Sequence, residues 1–248
     1  MSFLKKLLGR NREASLSTRI VRLPRLVLVP LHLVRFQCTE PQGVGTLSVL
    51  NLSLSGMGFQ PHDQLRELAP GSKIQGFLQI EEERFPLSVE LVYTSEQMTG
   101  GRFLDVPEDL KARILRYFVA EFAAIEMVDV KDSVLAAEPE GSPHFLVGKN
   151  QCELYFVEKD SKLVWFHLTF LGNYIEGDRS GKLREGTFEE APRRAYKDST
   201  VIRSMCPLSL EMGELVLKFL ANVRSLEPGI KAQLNALIQT HISGSAVP

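Results

Sequence analysis

Apolar and polar side chains alternate along much of the first hundred residues. In segments 74–80 and 87–93 mostly aliphatic residues stand on one side and mainly polar residues on the other. Successive strand residues point to opposite faces, so this period of two predicts half-buried antiparallel strands. Segment 26–37 is also β-rich, and Pro30 within it predicts an edge position or a bulge. Glycines separate these runs, which predicts a small barrel or sandwich.

The apolar spacing lengthens to that of a helix after Pro107. This proline suits a first helical turn, and Glu108 and Asp109 favour the positive end of the helix dipole. Apolar residues then recur on one face of the predicted helix: Leu110, Ile114, Phe118, Phe122 and Ile125. We therefore expect one helix that packs against the barrel and closes the first domain.

The second half of the chain repeats the change from strand to helix periodicity. Segments 145–157 and 163–171 are β-rich, and 177–186 is a polar, glycine-bearing loop. Two apolar helical stripes follow, separated by Pro228 and Gly229, which predicts an antiparallel helical hairpin. The predicted fold class is mainly β with α: a small antiparallel β-barrel closed by a helix, and a C-terminal α+β domain that ends in the hairpin. The predicted boundaries are a basic amphipathic tail at 1–17, the barrel domain at 18–127, a linker at 128–143 and the C-terminal domain at 144–248.

Composition narrows the classes of function. With 248 residues, of which 44% are hydrophobic and 24% charged, the chain is long enough for two globular domains. The formal charge of -1 gives no bulk attraction to nucleic acid, and the three cysteines form no CxxC pair. No apolar run reaches the roughly 18 residues of a membrane-spanning helix, and the first residues lack the apolar core of a signal peptide. We expect a cytoplasmic protein without a cofactor.

No arrangement typical of an enzyme occurs in the sequence. The five histidines are scattered, and no HExxH, P-loop or GxSxG is present. His167, in an apolar strand, is interpreted as a hydrogen-bonded core residue, and we predict neither catalysis nor a metal site. Residues 1–12 combine four basic side chains with Phe3 and three leucines. For this tail a solvated segment is favoured over a weak peripheral contact with the inner face of the membrane.

The segment 50–59, LNLSLSGMGF, predicts a strand with two unlike faces. Its leucines alternate with a row of amide and hydroxyl groups from Asn51, Ser53 and Ser55. Gly56 and Gly58 then allow a sharp turn, or a close approach of a ligand to the backbone. A planar ligand with mixed hydrogen-bond donors and acceptors would suit this polar row.

Three arginines, Arg19, Arg22 and Arg25, precede the first strand. Guanidinium groups bind phosphate through two parallel hydrogen bonds, which lysine cannot do. Beside the polar row, these arginines indicate a phosphorylated ligand that carries a base. Periodicity alone favours a plainer interpretation, a solvated basic linker next to an edge strand whose outward residues are polar.

Residues 18–124 resemble a PilZ domain. Asn51-x-Ser53-x-x-Gly56 matches the family's (D/N)xSxxG motif, and LPR at 23–25 followed by an aliphatic strand looks like the arginine-bearing approach to the PilZ barrel. The run GRFLD at 101–105 resembles the family's penultimate strand, and the predicted helix follows it. PilZ domains are typically bacterial receptors for cyclic di-GMP. The resemblance implies that Asn51 and Ser53 contact guanine, that Gly56 forms the close-approach turn, and that Arg25 contacts a phosphate or a guanine face.

The chain departs from the family's RxxxR pattern. If Arg25 is the second arginine of that pattern, the first position is Val21, and Arg22 or Arg19 would have to substitute. Two hypotheses follow. The first is a cyclic di-GMP receptor in which the ligand orders residues 19–25 and its binding is relayed to the C-terminal domain or to a protein partner. The alternative is a PilZ-like adaptor that binds proteins, through the C-terminal hairpin, and binds no nucleotide.

Overall fold

The computed structural model describes residues 24–130, 138–149, 151–189 and 201–245, which form two antiparallel sheets and five helices. The first sheet contains β1 (Leu26–Val27), β2 (Val34–Glu40), β3 (Thr46–Ser53), β4 (Gly56–Phe59), β5 (Lys73–Ile80), β6 (Glu83–Thr94) and β7 (Thr99–Asp105). The second contains β8 (Val128–Val130), β9 (Ser142–Val147), β10 (Glu153–Lys159), β11 (Lys162–Phe170), β12 (Asn173–Asp178), β13 (Leu183–Glu189) and β14 (Val201–Pro207). The helices are α1 (Asp63–Arg66), α2 (Glu108–Tyr117), α3 (Val119–Ile125), α4 (Leu210–Asn222) and α5 (Pro228–Ser245).

The first sheet closes on itself as a six-stranded barrel. Its strand order is β3-β2-β5-β6-β7-β4, and β4 pairs back with β3 to complete the ring. The two-residue strand β1 pairs with a different stretch of β3 from the one that β2 uses. The apolar side of each alternating run faces the interior, where Phe36, Phe59 and Leu78 are fully buried. The predicted small antiparallel barrel is therefore confirmed.

A turn that contains Pro30 interrupts the strand predicted for residues 26–37. β1 ends at Val27 and β2 begins at Val34. Proline has no amide hydrogen to donate to a strand ladder, so the ladder cannot run through it. The amide of His32 donates to the carbonyl oxygen of Val29 at 2.9 Å and closes the turn.

The second sheet is open and has the strand order β14-β13-β12-β11-β10-β9-β8, with antiparallel neighbours throughout. Helices α3, α4 and α5 cover one of its faces. Phe166, Leu168 and Phe170 of β11 are buried in one core with Phe219 of α4 and Leu234 of α5. An open sheet buries its apolar face only if other elements cover it, and these three helices provide that cover.

The helix predicted from Glu108 is in fact two helices, but its predicted apolar stripe, including Phe122 and Ile125 of α3, packs against the barrel as expected. The chain leaves helical geometry at Phe118, whose φ is -104° and ψ is 28°. Phe118 and the apolar residues of α2 belong to the barrel core, whereas Ala120, Ala123 and Ala124 of α3 belong to the core of the second sheet. Because alanine side chains are small, α3 can lie close to α4. The break at Phe118 lets one helical segment serve both cores.

The structure also differs from the predicted linker at 128–143. Residues Val128–Val130 form β8, which pairs with β9, and β9 itself begins at Ser142. The middle of the predicted linker, residues 131–137, lies outside the described part of the chain. The acidic and proline content that indicated a linker does not stop short runs at either end from adding to an open sheet edge. Among the described helices, none has the length and hydropathy needed to cross a bilayer.

Candidate functional site

The tight turn between β3 and β4 is closed by the hydroxyl of Ser53. Ser53 Oγ donates to the carbonyl oxygen of Gly56 at 3.0 Å and accepts the amide of Ser55 at 3.3 Å. Ser53 is only 2% exposed, so its hydroxyl is occupied by the turn and is not open to solvent. A serine at a turn satisfies nearby backbone groups before it meets solvent or ligand. Ser53 therefore shapes the candidate site from beneath, whereas Ser55 is exposed.

Asn51 lies half-buried on the outer side of β3 with its carboxamide poorly satisfied. Its Nδ2 is 2.9 Å from the sulfur of Met98, and its Oδ1 is buried without a hydrogen-bond partner. A thioether is a weak acceptor, and a buried amide oxygen without a donor is energetically costly. Asn51 is thus the polar group of this face that most lacks a partner. A Cβ on Gly58 would overlap both Met98 Sδ and Asn51 Nδ2, so any larger residue there displaces these two side chains.

Asn51 belongs to a row of residues that runs across four strands. Asn51 is paired with Gly58 of β4, Gly58 with Gly100 of β7, and Gly100 with Tyr93 of β6. We call these four residues the glycine row. Residues directly opposite each other on neighbouring strands lie on the same face of a sheet. Met98 covers the first glycine of this row, Gly58, and the ring of Tyr93, which is 36% exposed, covers the second, Gly100.

A second row lies beside the glycine row and carries charge. Ser53 is paired with Gly56, Gly56 with Arg102, and Arg102 with Glu90. The guanidinium of Arg102 donates through Nη2 to both oxygens of Glu90 at 3.0 and 3.1 Å, and its side chain is 62% exposed. In the sequence Arg102 indicated only a strand, and its position two strands from Ser53 follows from the barrel register. Sequence reasoning missed Arg102 as a functional candidate.

Arg25 is the one predicted arginine within the described residues. β1 pairs Leu26 with Leu52 and Val27 with Asn51, and Arg25 directly precedes this strand. Arg25 is exposed, and its carbonyl oxygen accepts a hydrogen bond of 2.8 Å from Nη2 of Arg224. The structure thus brings Arg25, Asn51, Ser53 and Gly56 together. Arg19 and Arg22, like Val21, lie outside the described residues.

The outer face of the second sheet carries aromatic rings instead of glycines. The rings of Tyr155 and Tyr174 stack on either side of His167, with centroids 5.4 and 5.9 Å from it. His167 is half-buried on this outer face, so its assignment to the core was wrong. Burial, followed by hydrogen bonds to Glu138 and Glu176 respectively, raises the pKa of Tyr155 and of Tyr174 to about 12. Both phenol groups donate to carboxylates, and across the described ranges no cluster of histidine, cysteine and acidic side chains is arranged to hold a metal ion.

Comparisons with known proteins assign this chain to no family. No family model matches the chain, and no curated protein matches it. Among solved structures, an uncharacterised Legionella protein is 12% identical, and the match covers 39% of this chain and 90% of that one with a TM-score of 0.29. Similarity of this extent carries no argument about fold or function.

Proposed function

We propose that the barrel is a PilZ-type receptor domain for cyclic di-GMP and that the nucleotide binds over the β3–β4 turn and the glycine row. The observation that carries the proposal is the carboxamide of Asn51, whose buried oxygen has no donor and whose nitrogen meets only a thioether. This amide stands at the first position of the Asn51-x-Ser53-x-x-Gly56 spacing that the family resemblance assigns to guanine recognition.

The chemistry of guanine complements that amide. A guanine edge offers N–H donors next to a carbonyl acceptor, and a carboxamide offers one acceptor and two donors in the same plane. Asn51 Oδ1 would accept from the base while Nδ2 donates to it. Met98 has to move aside for this contact, and its unbranched, flexible side chain makes the movement inexpensive. Glycine at position 58 lets a flat ring come close to the backbone once Met98 has moved.

Two guanidinium groups flank the turn and supply positive charge for the phosphates. Arg25 approaches from the β1 side, and Arg102 stands across Gly56 on the other side. Arginine binds phosphate through paired, charge-assisted hydrogen bonds, and it also stacks on planar rings. In the proposal Arg19 and Arg22 join from the preceding segment when the ligand orders it. Glu90 releases Arg102 in exchange for a phosphate oxygen.

The proposal makes the protein a signalling effector of the bacterial cytoplasm and not an enzyme. Ligand occupancy is relayed to the C-terminal domain or to a protein partner, and no cofactor or metal takes part. Residues 1–12 add at most a weak peripheral contact with the inner membrane face. The finer fold assignment, a PilZ-like barrel followed by an α+β domain that ends in a helical hairpin, belongs to the same proposal.

Isothermal titration calorimetry with cyclic di-GMP tests this function. The wild-type chain is expected to bind with a submicromolar Kd, and Asn51→Ala and Arg25→Ala to weaken binding. Loss of one charge-assisted contact costs about 1.5–3 kcal/mol, which is roughly ten- to a hundred-fold in affinity. Arg35→Ala is the matched control, because Arg35 is an exposed arginine of β2 that pairs with Ser48 and Gln79, outside both rows. Absence of heat at high micromolar nucleotide for the wild type would overturn the proposal.

A second candidate function is favoured by Val21. The family's first arginine would fall at this position, and valine cannot bind a phosphate. A degenerate barrel that binds proteins and no nucleotide is the corresponding proposal. A Val21→Arg variant separates the two: binding gained only in this variant means that the wild type lost the nucleotide through this residue. Submicromolar binding by the wild type rejects the adaptor.

A further inference from the structure

The strand β1 is held along both of its edges, by different halves of the chain. On one edge the amide of Leu28 donates to the carbonyl oxygen of Leu50 at 3.0 Å. On the other edge the amide of Val27 donates to Asn222 Oδ1 at 2.8 Å, and Asn222 Nδ2 donates to the carbonyl oxygen of Val27 at 3.0 Å. Backbone groups of successive strand residues point to opposite edges. The side-chain amide of Asn222 therefore takes the place that a neighbouring strand would occupy.

Burial and a third hydrogen bond fix the side chain of Asn222 beside β1. Asn222 is the last residue of α4 and is 2% exposed. Its Nδ2 donates a further hydrogen bond, of 3.1 Å, to the carbonyl oxygen of Lys218 one turn earlier. With Oδ1 accepting one bond and Nδ2 donating two, the carboxamide has a fixed orientation. An apolar contact tolerates sliding, whereas this paired arrangement is lost when β1 shifts by about an ångström, since hydrogen-bond geometry is narrow.

Neighbouring contacts fix the same segment to the second half of the chain. Nη2 of Arg224, two residues beyond α4, donates to the carbonyl oxygen of Arg25 at 2.8 Å. Leu31 packs against the core of the second sheet. His32 Nε2 lies 2.7 Å from Glu121 Oε1, and these two side chains are 1% and 3% exposed. Residues 25–32 thus carry a candidate ligand residue at one end and contacts with α3 and α4 along their length.

We infer that Asn222 is a positioning residue of the nucleotide site, acting through the backbone of β1. This inference rests on the proposed function. By fixing Val27, Asn222 keeps β1 in the register that sets Leu26 beside Leu52 and Val27 beside Asn51, and it thereby positions Arg25, the residue directly before β1. Coupling between two sites is reciprocal, so nucleotide bound over β3 and β4 stabilises the end of α4 by the same factor. Nucleotide binding is therefore coupled to α4 through the two-residue strand β1 and the side-chain amide of Asn222.

The test uses the full-length chain with Asn222→Ala and a matched control, Val216→Ala. Val216 is fully buried on α4, so its truncation destabilises the second core without touching β1. The first measurement is hydrogen exchange without ligand, read at the amides of Val27 and Leu28. Faster exchange is expected at Val27 in Asn222→Ala and unchanged exchange in Val216→Ala. Equal exchange in the two variants overturns the inference.

The second measurement is the affinity for cyclic di-GMP. Asn222→Ala is expected to weaken binding by at least about five-fold, the lower end of ordinary coupling, with Val216→Ala at the wild-type Kd. In the wild type, nucleotide is expected to slow exchange at the last-turn amides of α4. Equal Kd values for the two variants overturn the positioning role. If the wild type binds no nucleotide, the proposed function fails and the positioning role fails with it, while faster Val27 exchange in Asn222→Ala alone still shows that α4 holds β1.

Discussion

The two sheets of this protein shield their apolar side chains from water in different ways. The barrel turns its apolar side chains inward and packs α2, Phe118 and part of α3 against them, while its outer face around β3, β4 and β7 carries glycines, an amide and an arginine. The open sheet covers one face with α3, α4 and α5 and protects the other with stacked rings of Tyr155, Trp165, His167 and Tyr174.

The difference shows which outer face is suited to a small ligand. On the open sheet the phenol groups already have partners, because Tyr155 donates to Glu138 and Tyr174 donates to Glu176. On the barrel the Asn51 oxygen has none, and the flexible side chain of Met98 covers the adjoining Gly58. A ligand gains most where it supplies the missing partner of a buried amide.

The largest expected effect follows from removing the buried contact between His32, in the barrel half, and Glu121 of α3, which packs on the second sheet. His32→Ala leaves the buried carboxylate of Glu121 without its 2.7 Å partner. We expect the free energy of unfolding to fall by about 3–5 kcal/mol, as for other broken buried pairs, measured by urea denaturation. Glu121→Gln is the control: its side chain keeps an acceptor for His32 Nε2 and should lose clearly less. A loss of under about 1 kcal/mol in His32→Ala would show that the sheets do not depend on this contact.

Alanine substitutions at two glycines of the barrel face, Gly56 and Gly58, are expected to have effects of intermediate size on stability and affinity. A Cβ on Gly56 would overlap the backbone carbonyl oxygen of Gly101, which cannot move without disturbing β7. We expect Gly56→Ala to lower the free energy of unfolding by about 1–3 kcal/mol. A Cβ on Gly58 meets the flexible end of Met98 and the amide of Asn51. Gly58→Ala should therefore cost less stability and more cyclic di-GMP affinity; the opposite order in thermal and calorimetric measurements contradicts this account of the face.

The smallest expected effect concerns the open sheet and pH. Burial, partly opposed by Glu176, lowers the pKa of His167. The unfolded chain takes up a proton near the ordinary pKa of about 6.5 while the folded chain does not, so stability falls as pH decreases from neutrality toward the folded pKa. We expect His167→Phe to remove this component of the pH dependence. The measurement is urea denaturation at pH 7.5 and 5.5 followed by the fluorescence of Trp165, and an unchanged dependence in the variant would exclude His167 as its source.

Local pattern predicted the barrel, because alternation along each strand already separates inside from outside. It also indicated Asn51 and Gly56 through their spacing. It could not predict that Phe118 breaks the helix, since the apolar stripe of residues 110–125 is continuous, nor that Ala120, Ala123 and Ala124 would pack into a second core. Nor could it show that Ser53 would be used by its own turn, because alternation predicts a face and not a hydrogen-bond partner.

What the sequence determined by itself is the alternating strands of the barrel, the polar run at Asn51 and the glycines beside it, since each depends on neighbours within a few residues. Only the tertiary structure decided that residues 177–186, predicted as a loop, extend two strands of the second sheet, that Arg102 stands across from Gly56, that Met98 covers Asn51, and that Asn222 holds β1 from 195 residues away. The physical reason is that barrel closure and the packing of α4 set distances between residues far apart in the chain, and no local periodicity records those distances.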